Sequence, residues 1–166
     1  MKQTFYLIVW HEADMDTCSH SILGAYCSPD VALAKMREHI AAKFDGIRNW
    51  WLEDDEELSD EEFNEWIDEF YCDDEQRTWS YTDGDEVEHL YKVITAEIEA
   101  ADTQLQVYAV LHTCINGVDN NTEVVGVYTS QAEAYKALDA YRSTNKCDDE
   151  DDFVENVVTV ESFYVA

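Results

Sequence analysis

The sequence predicts an α+β fold: two tandem β-β-α-β repeats, each a three-stranded antiparallel sheet with one helix, plus an acidic helical insertion in the first repeat. Three observations predict it. The chain matches itself at a fixed offset, both halves show the same order of strand-like and helix-like patterning, and negative charge gathers at one equivalent place in each half.

Displacing the sequence by 102 positions aligns Tyr6 with Tyr108, Gly24 with Gly126, Tyr26 with Tyr128, Ser28 with Ser130 and Ala32 with Ala134, without a gap. Apolar positions keep that register, with Ile8 over Val110, Val9 over Leu111, Ile22 over Val124, Leu23 over Val125 and Met36 over Leu138. Shared patterning of this kind is how a duplicated unit declares itself. The first repeat is assigned to residues 1–100, with an insertion at 45–88, and the second to residues 101–166, with a short acidic loop at 147–152.

Each copy opens on a strand, residues 4–11 and 105–113, rich in β-branched and aromatic residues that suit a pleated surface. A polar loop leads to a second strand, residues 21–27 and 123–129, which ends at a serine placed to cap a helix. In copy one Ser28 precedes Pro29, whose missing N–H costs nothing at the first helical position; in copy two Ser130 and Glu133 have the spacing of a capping box. Leu33, Met36, Ile40 and Phe44 then recur along one stripe of the first helix, and Ala134, Ala137, Leu138 and Tyr141 along one stripe of the second. A closing strand follows in each copy, residues 88–98 and 154–165. A right-handed crossover sets it beside the first strand and antiparallel to it.

Charge separates scaffold from insertion. The chain carries a formal net charge of −28, of which residues 45–88 hold −17 and residues 147–166 hold −7. Residues 1–44 hold only −1 and residues 89–146 only −3. Halophilic adaptation would spread carboxylates over every exposed surface, so this distribution argues against it. Self-repulsion at such density weakens the compact state. It also disfavours direct binding to nucleic acid or an anionic membrane, both of which need Lys and Arg to displace counterions. A hydrophobic content of 46% with 13% aromatics distinguishes the chain from a disordered acidic tail.

The larger insertion carries its own helix signal. Ser59 and Glu62 have capping-box spacing, Asp60, Glu61 and Glu62 fill the first turn where the helix dipole favours acids, and Phe63, Trp66, Ile67 and Phe70 recur at helical intervals. The opposite face carries Glu61, Glu65, Asp68 and Glu69. Glu53, Asp54, Asp55, Glu56 and Glu57 run before this helix, and Asp73, Asp74 and Glu75 after it. The second acidic patch is Asp148, Asp149, Glu150, Asp151 and Asp152. An acidic run is ordinarily the solvated face of an amphipathic helix. Here it continues past the helix at both ends, which solvation of one face does not require. The expected partner-binding surface is therefore this set together with Asp60. Trp50-Trp51 beside it is either a contact patch or buried against the first helix.

Other chemistry is thinly represented. His11, Cys18, His20 and Cys27 are metal-capable, yet their spacing matches no zinc pattern, and the second copy has Thr113, Asn120, Thr122 and Thr129 there. Asp14-x-Asp16 and Asp119-x-Asn121-x-Glu123 lie in matching hairpin loops but lack the calcium-loop pattern. There is no nucleophile elbow and no phosphate-binding glycine loop, so no catalytic residues and no cofactor are assigned. The five cysteines, an odd number without regular spacing, point to reduced thiols. The apolar run at residues 5–10 is too short for a signal peptide, so a cytoplasmic location is expected.

In size, in its clustered acids at residues 53–75 and 148–152, and in its lack of catalytic motifs, the chain resembles the antirestriction and anti-CRISPR inhibitors of phages and mobile elements. That resemblance implies a non-catalytic DNA mimic in a bacterial host cell. Its partner would be the basic groove of a Cas effector, a restriction enzyme or another nuclease, with toxin immunity as the same physics on a different target. The competing class is a metal-binding enzyme or accessory module that uses the loop carboxylates.

Overall fold

A computed structural model describes residues 2–14, 18–49, 58–99, 106–115, 121–144 and 155–165. The order of elements is β1 (Lys2–Ala13), β2 (Cys18–Tyr26), α1 (Pro29–Phe44), a 3-10 turn (Asp45–Asn49), α2 (Asp60–Glu69), β3 (Thr78–Thr82), β4 (Glu88–Glu99), β5 (Gln106–Ile115), β6 (Asn121–Tyr128), α3 (Gln131–Thr144) and β7 (Glu155–Tyr164). The named strands pair antiparallel, in a four-stranded sheet of order β2-β1-β4-β3 and a three-stranded sheet of order β6-β5-β7, and an isolated parallel bridge joins Ala25 of β2 to Val165 just after β7. The α+β class and the placing of each closing strand beside its opening strand are as the sequence predicts.

The duplication is visible in detail. The β1–β2 pairing steps from Ile8↔Gly24 to Val9↔Ile22, leaving Leu23 as an extra residue. The β5–β6 pairing steps from Val110↔Gly126 to Leu111↔Val124, leaving Val125 in the same position. A bulge of this kind sharpens the local twist, and here it recurs at equivalent residues. Each bulge is followed by a glycine over which a tyrosine ring lies: a Cβ added to Gly24 would sit 2.6 Å from the Tyr26 hydroxyl, and one added to Gly126 would sit 2.6 Å from the Tyr128 hydroxyl. The shared glycines are thus places of close approach, and the shared tyrosines are what approaches. Gly24→Ala and Gly126→Ala are each expected to displace that ring and cost about 1–3 kcal/mol in urea denaturation, the usual range for overpacking. A loss below about 0.5 kcal/mol in both would mean the ring moves aside freely.

Three features differ from the sequence reading. The first sheet has a fourth strand, β3, drawn from the insertion. Its Trp79 points inward, and its turn to β4 is tied by Asp83, whose Oδ1 accepts from the Asp85 and Val87 amides at 3.0 Å each. Ser28 makes no side-chain cap on α1, which begins with Pro29 alone as its start signal. On α1 the fully buried stripe is Ala32, Met36, Ile40 and Phe44, with Leu33 only half-buried at its margin.

Alternation along the strands sorts the core into layers. On one side of the first sheet, Ile8, Tyr91 and Val93 pack under α1 and α2 with Trp79, Phe63, Trp66 and Ile67. On the outer side of the second sheet, Val110 and Val158 pack under Ala134 and Leu138 of α3. The remaining faces meet each other, with Phe5, Leu7, Ala25, Ala96 and Ile98 of the first sheet against Val107, Val124, Val127, Phe163 and Val165 of the second. The result is a helix–sheet–sheet–helix stack. Contacts between β2 and β7 and between β4 and β6 exchange equivalent strands, so the stack has the character of a twofold about the duplicated unit.

Candidate partner-binding surface

Helix α2 presents the acids, and its placement begins with its cap. Ser59 Oγ accepts from the Glu62 amide at 3.3 Å, and Glu62 Oε2 accepts from the Ser59 amide at 2.9 Å, closing the predicted capping box. Hydrogen bonds from the Ser59 side chain and backbone hold the Glu62 carboxyl below its ordinary range, so it stays ionised at the positive end of the helix dipole. Phe63, Trp66 and Ile67 face inward, where Trp66 meets Phe63, Phe70, Trp79 and Tyr81 at centroid distances of 5.1–6.0 Å. Trp79 donates its indole N–H to the Ile67 carbonyl at 2.9 Å, fastening the end of α2 to β3.

The acids on α2 divide by flank. Asp60, Asn64 and Asp68 recur at four-residue intervals on the flank that faces α1 and its following turn, where arginines meet them. Arg48 reaches Asp60 at 2.7 Å while lying 4.4 Å from the centre of the Phe63 ring. Arg37 pairs with Asp68 and donates to the Asn64 carbonyl and side-chain oxygens at 3.1 Å each. Glu61, Glu65 and Glu69 also recur at four-residue intervals, on the exposed side, and none of them has an ion pair among the described residues. At about 1.5 Å rise per residue, these carboxylates succeed one another every ~6 Å along the axis. Glu62, Glu65 and Glu69 also rim a shallow hollow of about 210 Å³ whose apolar floor is Leu58 and Trp66.

The acids after α2 are mixed in role. Asp73 closes a turn, accepting from the Arg77 amide at 2.9 Å; burial raises its pKa, but this and further hydrogen bonds from Thr78 and Glu75 outweigh burial and bring it below the ordinary value. Glu75 pairs with Arg77 at 2.8 Å, while Asp74 is exposed. Four predicted site residues, Asp60, Asp68, Asp73 and Glu75, therefore have part of their charge engaged within the chain. Glu61, Glu65, Glu69 and Asp74 face outward. Glu53, Asp54, Asp55, Glu56, Glu57, Asp148, Asp149, Glu150, Asp151 and Asp152 lie outside the described residues, as do Trp50 and Trp51.

The basic side chains are similarly engaged. Lys2 pairs with Glu97, Lys35 with Glu38, Lys43 with Glu12, and Arg48 with Asp45 as well as Asp60. Composition places the acids but not these pairings; for those on α1 and its following turn the signal is the run of bases Lys35, Arg37, Lys43 and Arg48, ahead of the clustered acids.

Of the metal-capable residues, His11 and His20 stand opposite each other across β1 and β2. His11 is buried between the sheets, His20 bonds to Thr159, and Cys27 is an exposed free thiol. Among the described residues no three His, Cys, Asp or Glu side chains are grouped as metal ligands. Glu123 of the second hairpin accepts from Tyr141 at 3.0 Å and lies 3.1 Å from His112 Nδ1. Among the described residues no helix is long and apolar enough to cross a membrane. Comparison with protein-family models, with curated proteins and with solved structures finds no match for the chain.

Proposed function

We propose that this protein is a non-catalytic acidic ligand for the basic, nucleic-acid-binding groove of another protein, which it blocks by presenting carboxylates in place of phosphates. The observation that carries the reading is the fixed exposed row Glu61, Glu65 and Glu69 on a helix whose inner face is buried and whose neighbouring flank is tied to Arg37 and Arg48. The backbone under a row held in this way loses little freedom on binding, which lowers one of the costs of association. One strand of B-DNA carries a negative charge every ~3.4 Å of axis. A single row at ~6 Å supplies about half that density, and the exposed Glu62 and Asp74 add further charge. The hollow over Trp66 suits the stem and head of a Lys or Arg from the partner, with the indole below and carboxylates around it. A Cas effector, a restriction enzyme or another nuclease has a groove of the required kind.

The test is capture of partners from host lysate by the wild-type chain and by the triple variant Glu61→Lys, Glu65→Lys, Glu69→Lys, followed by nuclease-inhibition assays on what is retained. Like charges placed opposite each other cost several kcal/mol, so the variant is expected to lose more than about 100-fold in affinity while keeping its circular-dichroism spectrum. Wild-type binding is expected to weaken at least about tenfold between 0.05 and 0.5 M salt and to be displaced by duplex DNA. A partner that holds the triple variant as tightly as the wild type, or that ignores competing nucleic acid, would sink the proposal.

A further inference from the structure

The hollow beside the acidic row on α2 has a filled counterpart on the same helix. Arg48 reaches Asp60 at 2.7 Å with its guanidinium carbon 4.4 Å from the centre of the Phe63 ring. One arginine of the chain thus lies over an aromatic side chain of α2 with a carboxylate at its end. Arg37 meets the following turn, pairing with Asp68 and donating to the Asn64 carbonyl and side-chain oxygens. Lys35 and Lys43 stand on the same helix as Arg37, yet they pair with Glu38 and Glu12. Of these four bases on α1 and its following turn, the two that meet α2 are both arginines.

Trp66 follows Phe63 by three residues and lies nearly parallel to it, at an interplanar angle of 6° and a centroid distance of 5.9 Å. With Leu58 it floors the hollow of about 210 Å³, and Glu62, Glu65 and Glu69 stand at the rim. The Leu58 amide donates to the Arg48 carbonyl at 3.3 Å, which ties the floor to the turn that carries Arg48. Along the helix axis the three carboxylates succeed one another at ~4.5 and ~6 Å. Hydrogen bonds from Ser59 keep Glu62 ionised, and neither Glu65 nor Glu69 has an ion pair among the described residues. The hollow therefore repeats the combination that holds Arg48, an aromatic surface with carboxylates beside it, and opens it to solvent.

We infer that this hollow is a guanidinium subsite, which takes one arginine side chain of the basic partner in preference to lysine. The inference rests on the reading of α2 as a ligand for such a partner, and it names the residue that anchors it. A guanidinium is flat, weakly hydrated and carries five N–H donors in one plane, so it can lie on an apolar floor while bonding to carboxylates on more than one side. An ammonium is a compact, strongly hydrated charge that gains little from the floor. The attraction of the rim is common to both; the floor and the spread of the carboxylates make the difference.

The experiment titrates the full chain, in about 0.05 M salt, with N-acetyl-arginine amide and with N-acetyl-lysine amide, and follows the Leu58 methyl and Trp66 indole resonances by NMR. Each probe carries one positive charge, so general attraction to an acidic protein is the same for both. The arginine probe is expected to shift both resonances saturably, and the lysine probe to bind at least about fivefold more weakly. Glu65→Gln with Glu69→Gln at the rim is expected to weaken the arginine probe at least about fivefold. Removing two exposed carboxylates elsewhere, Glu133→Gln with Asp139→Asn on α3, is expected to change it less than about twofold. Equal binding of the two probes, shifts that pass over Leu58 and Trp66, or a rim variant that binds as the wild type does overturns the subsite. The proposed function stands or falls separately. A lysate partner that the triple lysine variant loses, and that nucleic acid displaces, upholds the function even where the hollow ignores arginine. An arginine-selective hollow does not rescue the function where every retained partner ignores competing nucleic acid.

Discussion

Trp79→Ala is expected to remove about 3–5 kcal/mol of stability, a large part of what a domain of ordinary stability possesses. The residue is wholly buried on β3, and its ring lies 5.2 Å from Phe44, 6.0 Å from Trp66, 5.9 Å from Phe70 and 5.8 Å from Tyr91 by centroid. It joins α1, α2 and β4 at one point. Its indole N–H also serves the Ile67 carbonyl, so alanine both opens a cavity and withdraws a buried donor. Trp79→Phe separates the two effects: a ring is retained, the donor is lost, and the expected cost falls to about 1–2 kcal/mol. Urea denaturation followed by fluorescence measures both. A Trp79→Ala loss below about 1 kcal/mol would mean that α2 is not held through this residue.

The second large effect lies on the opposite face of the same sheet. Phe5→Ala is expected to cost about 3–5 kcal/mol, because the ring is 1% exposed among Ile98, Val107, Val127, Phe163 and Val165, side chains drawn from both repeats. The two substitutions are distinguished by their reach. Hydrogen exchange in the Trp79 variant is expected to quicken first in α2 and β3, since its ring and indole N–H join the two directly. In the Phe5 variant it is expected to quicken in β5 and β7 together with β1, since that side chain stands between the sheets. Exchange confined to the first repeat in the Phe5 variant would show that the sheets are held by other means.

Much of this arrangement was legible in the residues. The Ser59/Glu62 spacing and the 102-residue register each specify one local geometry, and each appears as predicted. Strand β3 was hidden because its five residues, Thr78-Trp-Ser-Tyr-Thr, sit inside a segment dominated by carboxylates; the alternation and the Asp83-Gly84 turn after it were the available signal. The meeting of the two sheets was beyond reach for another reason. A strand apolar on both faces shows that something covers each face, but not what covers it. The division of acids on α2 needed the structure too, since Asp68 and Glu69 are alike in composition and differ only in whether Arg37 is opposite.

The stretch that leads out of α2 does more than carry carboxylates. The Cys72 amide donates to the Thr78 carbonyl at 2.8 Å and the Ser80 amide donates to the Phe70 carbonyl at 3.1 Å, so residues 70–72 run along the outer border of β3. An uncovered border of that kind is a template on which further chains can stack. The same insertion therefore serves as a selvedge on the β3 side, keeping the weave of the first sheet from lengthening there molecule by molecule. Shortening it to strip away charge would unpick that margin, whereas exchanging its side chains leaves it sewn.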